Sequence, residues 1–223
     1  MSQLCYILDA SCMEKGIGNV KRWCEADQAR KFSRLSLYIP TFTLQELDFL
    51  KYRRNSYTAK EALRFIDGVD FPESVDLIIE FPELLDTILW SDVLDRQVSD
   101  LPDFDLRPNS PHSLPRRLRN LLKSCTYKCH FEGSNNQTWV LVTEDAQIRR
   151  LADAFGIPHC SLVSADQEIC RKLDKRAFKQ NAKFSDYLKK KSVKDSSGGK
   201  EVYRAKFDQA MYASRGPGNL WTP

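Results

Sequence analysis

Residues Trp139 to Pro158, WVLVTEDAQIRRLADAFGIP, constrain the fold more than any other stretch of the chain. Trp139 to Val142 is a short apolar, β-branched run of the kind that forms a buried strand. Thr143, Glu144 and Asp145 follow without a gap, and Ile148, Leu151, Ala152 and Phe155 then recur at helical spacing. Gly156 ends that helix, and Ile157-Pro158 returns the backbone to an extended path. The unit is a strand, an acidic turn and a helix, with Asp145 at the strand's carboxyl end, where ligands gather in open α/β sheets. Leu4 to Leu8 repeats the pattern and ends in Asp9-Ala10-Ser11 ahead of a second helix. Neighbouring parallel strands lie about 4.8 Å apart, so Asp9 and Asp145 would fall on one edge and could share a divalent cation. Acids at helix starts also act as caps and oppose the helix dipole, and from the residues alone that alternative stays open.

The remaining elements fit the same scheme. The first helix is predicted from Ser11, its N-cap, to Cys24, with Gly16 and Gly18 marking a bend. Leu35 to Ile39 is the second strand, stopped by Pro40. Thr41 or Thr43 would cap the next helix, with Glu46 in a capping-box relation to Thr43. A helix over Ser56 to Ile66, a strand over Val75 to Phe81 and a helix over Leu84 to Leu94 follow. A flexible acidic, proline-rich loop is expected over about 95–113, since four prolines fall between residues 99 and 115. Leu114 to Phe131 reads as a basic helix, Cys160 to Val163 as the last strand and Ala165 to Leu173 as a closing helix. This alternation predicts an α/β fold, a Rossmann-like parallel sheet of about five strands flanked by helices.

Composition narrows the class. Of 223 residues, 42% are hydrophobic and 29% charged, ordinary values for a globular protein. No signal peptide or membrane span is read, and seven scattered cysteines suit free thiols in a reducing compartment, so cytoplasm, or else nucleus, is expected. Cys125, Cys129 and His130 lack the ligand pairing of a zinc site and are read as core residues. No glycine-rich phosphate loop follows the first strand. The net charge of +4 conceals a division: residues 1–170 carry 20 basic and 25 acidic residues, and residues 171–223 carry 14 and 5. A body over 1–173 and an extended basic arm over 174–223 are therefore expected. The arm ends in Tyr212, Arg215, Leu220 and Trp221, residue types that anchor segments into partner grooves. Its lysines could add salt-sensitive contact with RNA.

Three acids, Asp9, Glu46 and Asp145, occupy matched places in this scheme. Together they could bind Mg²⁺ or Mn²⁺ and activate water against a phosphodiester. The segments Leu8-Asp9-Ala10-Ser11, Thr43-Leu44-Gln45-Glu46-Leu47-Asp48 and Leu141-Val142-Thr143-Glu144-Asp145 resemble the motifs of the PIN domain, a metal-dependent ribonuclease fold, over roughly residues 4–170. The resemblance departs at one place. PIN nucleases of mRNA surveillance carry a further aspartate at the start of the helix before the fourth strand, and here Arg119 or Asn120 aligns with it. A cation there opposes a divalent metal. The resemblance thus implies a degenerate site with vestigial acids at Asp9, Glu46 and Asp145. No cofactor would be required, and Mg²⁺ or Mn²⁺ could remain at Asp9 and Asp145. An active Mg²⁺- or Mn²⁺-dependent single-strand endoribonuclease is the alternative. The whole chain further resembles PIN-domain factors of nonsense-mediated mRNA decay, through Lys21 to Cys24, Phe81 to Glu83, Ile88 to Asp92, Ala213 to Gly216 and Leu220 to Pro223. That resemblance implies binding to, and modulation of, the pathway's ATP-dependent RNA helicase. Arg215 and Trp221 would be the anchors, with Tyr212 and Leu220 beside them, and RNA would be contacted, if at all, inside that complex and with no membrane involved.

Overall fold

The computed structural model describes residues 3–25, 34–68, 71–101, 113–132 and 137–173. Five parallel strands, β1 (Gln3–Leu8), β2 (Arg34–Ile39), β3 (Val75–Ile79), β4 (Trp139–Val142) and β5 (His159–Cys160), form one sheet in the order β3-β2-β1-β4-β5. Alternation along β1 explains why the sheet is covered on both sides. Leu4, Tyr6 and Leu8 enter one core, while Cys5 and Ile7 enter the other.

The first core is closed by α1 (Ala10–Trp23), α3 (Tyr57–Gly68) and α8 (Leu162–Leu173), through residues such as Met13, Val20, Phe65 and Ile169. The second is closed by α6 (Arg116–Thr126) and α7 (Ala146–Ala154), through Leu118, Leu121, Cys125, Ile148 and Leu151. The helix α2 (Thr41–Arg53) contributes to both, Leu47 and Leu50 to the first core and Phe42 to the second. Two short helices, α4 (Leu84–Thr87) and α5 (Trp90–Leu94), complete the described elements. Among the described residues no helix is long and apolar enough to cross a membrane.

Several sequence-based boundaries are corrected. The first helix begins at Ala10, and its N-cap is Asp9 rather than Ser11. Neither Thr41 nor Thr43 caps α2. The carboxylate of Glu80, just beyond β3, accepts from Thr41 N at 2.7 Å and from Tyr38 Oη at 2.7 Å. Thr43 instead donates to the Leu8 carbonyl at 2.7 Å, and Glu46 pairs with Arg117 and makes no capping box. The predicted helix over Leu84 to Leu94 is broken at Ile88 and Leu89, both extended. A continuous helix, at about 100° per residue, would turn Val93 about 140° from Ile88. The break lets Leu85, Ile88 and Val93 all be buried and leaves Leu89 outside.

Strand β3 stops at Ile79. The fifth strand holds two residues, because Leu162 already opens α8: its N–H is accepted by Glu144 Oε1 at 2.7 Å, and Ser161 Oγ accepts from Ser164 N. The basic helix stays α-helical to Thr126 and continues as a π-turn over Tyr127–Phe131. The start of the acidic loop is pinned, with Val98 N donating to the Ala154 carbonyl at 2.8 Å; residues 102–112 lie outside the described residues, as does the arm.

The bend expected at the glycines is real at Gly16, whose φ of −135° and ψ of 26° interrupt α1. A Cβ on Gly16 would stand 2.1 Å from Leu162 Cδ2, so α8 packs directly on glycine backbone. Leu162 is itself buried and has little room to move. Gly16→Ala is therefore expected to destabilise the chain by about 1–3 kcal/mol through overpacking, whereas Gly18→Ala, which meets nothing, should stabilise slightly. Urea unfolding of both variants checks the contrast.

Candidate functional site

The chain runs from β1 outward through β2 to β3 and then returns to the other side of β1 for β4 and β5. The β1–β4 junction is thus the sheet's switch point, where the loops leave in opposite directions and open a crevice at the strands' carboxyl ends. A cleft of about 630 Å³ lies there, lined by Asp9, Glu46, Arg117, Glu144 and Asp145 among others. The three acids read from the sequence do meet at one cleft.

Their detailed positions set what the cleft can do. Asp9 is 1% exposed. Its Oδ2 accepts from Ser11 Oγ at 2.6 Å, from Ser11 N at 3.3 Å and from Thr143 Oγ1 at 2.8 Å, while its N–H donates to the Val142 carbonyl. This one carboxylate joins the end of β1, the start of α1 and the end of β4. Its Oδ1 is buried without a partner. Burial pushes the Asp9 carboxyl above its ordinary range, against the pull of the bonds from Ser11 and Thr143.

Asp145 caps α7, its Oδ1 accepting from Gln147 N at 2.7 Å and more weakly from Ile148 N. Glu144 holds two partners, Leu162 N and the Arg149 guanidinium. Glu46 accepts from Arg117 Nη1 at 2.5 Å. Helix capping and a shared metal site were the alternatives left open by the sequence, and capping is the observed role of both Asp9 and Asp145.

The residues implied to replace the missing acid stand apart from the three acids. Arg119 and Asn120 line a neighbouring cleft. Arg117, two positions earlier in α6, lies on the wall of the acidic cleft, as do Lys15 and Arg54. Helical geometry accounts for the difference, since residues 117 and 119 stand about 160° apart on the helix. The arginine spacing in Arg116-Arg117-Leu118-Arg119 carried this signal, because Leu118 fixes the buried face between the two outer sides. Sequence reasoning also missed the hydroxyls of Thr143 and Thr43, whose partners are distant in sequence. The four expected anchors, Tyr212, Arg215, Leu220 and Trp221, lie outside the described residues.

As a donor set these side chains do not fit a carboxylate-held Mg²⁺ or Mn²⁺. Among the described residues no group of three or more His, Cys, Asp or Glu side chains stands close enough to hold a metal ion. Asp9 offers one unpartnered oxygen, and Glu46 faces a guanidinium instead of a cation site. The cysteines are core thiols as read: Cys125 is fully buried, and burial pushes Cys129 up to about 12.

A parallel sheet whose switch-point crevice is walled by acids at the ends of β1 and β4 defines a class, and the sequence matches the PIN domain family over residues 6–163. The chain belongs to that family. Its relatives narrow the group. It is 45% identical over 226 residues to nonsense-mediated decay protein 4 of Saccharomyces cerevisiae and 43% identical over 248 residues to the protein of that name from Candida glabrata, in both cases across all of each chain. The Kluyveromyces lactis protein of the same name is 36% identical over 98% of this chain and 96% of its own. At these identities along its full length, the chain belongs with the nonsense-mediated decay protein 4 family.

The raised Asp9 carboxyl has a consequence for stability. The folded state holds this proton more tightly than the unfolded state, so the group's contribution improves as pH falls toward the ordinary aspartate value of about 3.9 and is lost as pH rises through the folded value. The stability of wild type relative to Asp9→Asn should therefore increase as pH falls from 7 toward the ordinary aspartate value of about 3.9. Paired urea titrations read this difference directly; an unchanged difference would mean that the burial penalty is fully offset.

Proposed function

We propose that this chain is an accessory factor of nonsense-mediated mRNA decay that binds the pathway's ATP-dependent RNA helicase and modulates it without cutting RNA. The arm, through Arg215 and Trp221 with Tyr212 and Leu220 beside them, supplies the anchors, and the PIN body adds a second contact. The names of the full-length relatives support the pathway, and their match covers the arm as well as the body. The observation that carries the loss of cleavage is the Arg117–Glu46 ion pair, which sets a guanidinium against one of the three acids at the cleft. With Asp145 engaged at a helix start, too few free carboxylate oxygens remain to activate water. The factor needs no cofactor in this reading and works in the cytoplasm beside its helicase.

One observation favours the second reading, a residual endoribonuclease. Asp9 Oδ1 is buried and unpartnered, as a ligand oxygen awaiting Mg²⁺ or Mn²⁺ would be. The two readings separate in one assay. Purified protein with Mn²⁺ should leave single-stranded RNA intact; cleavage that Asp145→Asn abolishes would establish the nuclease instead. For the adaptor, the combined Arg215→Glu and Trp221→Ala variant should lose about tenfold or more in helicase affinity, since Arg and Trp carry a disproportionate share of interface energy. A calorimetric titration of the helicase domain decides this, and an unchanged Kd removes the arm from the interface.

A further inference from the structure

The second cleft has chemistry of its own. It encloses about 400 Å³ on the other side of the α2–α6 contact. Sequence neighbours are divided between the two clefts: Thr41, Gln45 and Arg116 face this one, and Phe42, Glu46 and Arg117 face the acidic one. Along α6, Arg116, Arg119 and Lys123 are spaced i, i+3, i+7, which sets all three within about 60° on one side of the helix. Against these three cations the lining holds, among the described residues, a single acid, Asp86.

Two polar atoms of lining residues are buried without partners, Arg119 Nε and Thr41 Oγ1. Leaving a buried donor unmade costs about 1–3 kcal/mol, more when it is charged. Among the described residues neither Arg116 nor Arg119 is held in a salt bridge; their neighbour Arg117 is the one tied to Glu46. The opposite edge is apolar and is formed by Pro82, Leu85 and Trp90. Lys123 is partly committed, since its Nζ donates to the Leu85 carbonyl at 2.9 Å, and this bond fixes the apolar edge to the cationic one.

We propose that this cleft is a binding site for a nucleotide unit of single-stranded RNA, with a backbone phosphate on Arg116 and Arg119 and a base against the Pro82–Leu85–Trp90 edge. A nucleotide brings an anion and a flat apolar face in one unit, which matches the two edges that Lys123 holds together. Arginine supplies the forked donor geometry that phosphate oxygens accept, and single strands are commonly held by a cationic groove with stacking surfaces. The cleft's volume suits a unit of this size. The site is distinct from the acidic cleft, and it does not depend on the helicase reading, because the chain alone would bind RNA.

The test uses the full chain and a fluorescent oligouridylate of about ten nucleotides, read by anisotropy. Arg116→Glu with Arg119→Gln is expected to weaken binding about tenfold and to shallow the salt dependence by about one to two phosphate contacts. Arg116→Glu alone alters an exposed side chain, leaves the packing intact and should cost about threefold. Arg64→Glu on α3, which lines neither cleft, repeats the charge change and should stay within about twofold. The arm is present and unaltered in every variant. Equal losses in Arg116→Glu and Arg64→Glu would overturn the site in favour of general charge attraction, as would an unchanged double variant. Uridine monophosphate binding as tightly as the oligomer would assign the cleft to a free nucleotide, and a glutamate-rich peptide displacing the oligomer as well as unlabelled RNA does would assign it to an acidic protein. Either result overturns the RNA assignment.

Discussion

The architecture depends on one buried carboxylate. Asp9 stands where β1 gives way to α1, and it is bonded at once to its own helix start and to the Thr143 hydroxyl at the end of β4. Because β1 lies at the centre of the sheet, that junction fixes both halves of the fold, with β2 and β3 on one side and β4 and β5 on the other. Thr43 adds the third helix layer contact by donating to the Leu8 carbonyl one residue before Asp9. A charge in this position carries a desolvation cost, visible in the upward push on its own titration, and only several hydrogen bonds to one oxygen make it tolerable. The residue most readily taken for chemistry is thus first a structural knot.

Much of this was legible from local pattern. Alternation in Leu4 to Leu8 and the 3.6-residue spacing of Ile148, Leu151, Ala152 and Phe155 are period signals, and the sheet and its helices follow from them. What remained illegible has a common physical cause, which is capping from afar. Glu80 closes the start of α2 across 39 positions, and Glu144 closes the start of α8 across 18. A nearby threonine or serine looks like the better cap when only neighbours are considered. The broken segment around Ile88 failed for a related reason, since burial of three apolar residues outweighed the continuity of one helix.

Asp9, Glu46 and Asp145 line one cleft, and convergence alone does not define a chemical site. A spacing of residues shows that Asp9, Glu46 and Asp145 can converge; it does not show which of their oxygens are already in use. Two are helix caps and one is an ion-pair partner, and those roles are visible only once α6 is placed beside α2. The arginine that answers Glu46 could have been distinguished by wheel geometry, with Leu118 as the inward reference and Arg117 and Arg119 on opposite flanks.

That division of arginines sets an acidic cleft and a cationic cleft on two sides of one helix. Arg117 is paired with Glu46, and among the described residues the acidic cleft is lined by five acids against Lys15, Arg54 and Arg117. Arg116 and Arg119, one turn of the same helix, are left without an acidic partner among the described residues and face away from those carboxylates. On the proposal above, an RNA strand would be held at the cationic cleft rather than at the switch-point crevice. With Arg117 committed to Glu46, the arginines that α6 turns toward the other cleft are Arg116 and Arg119.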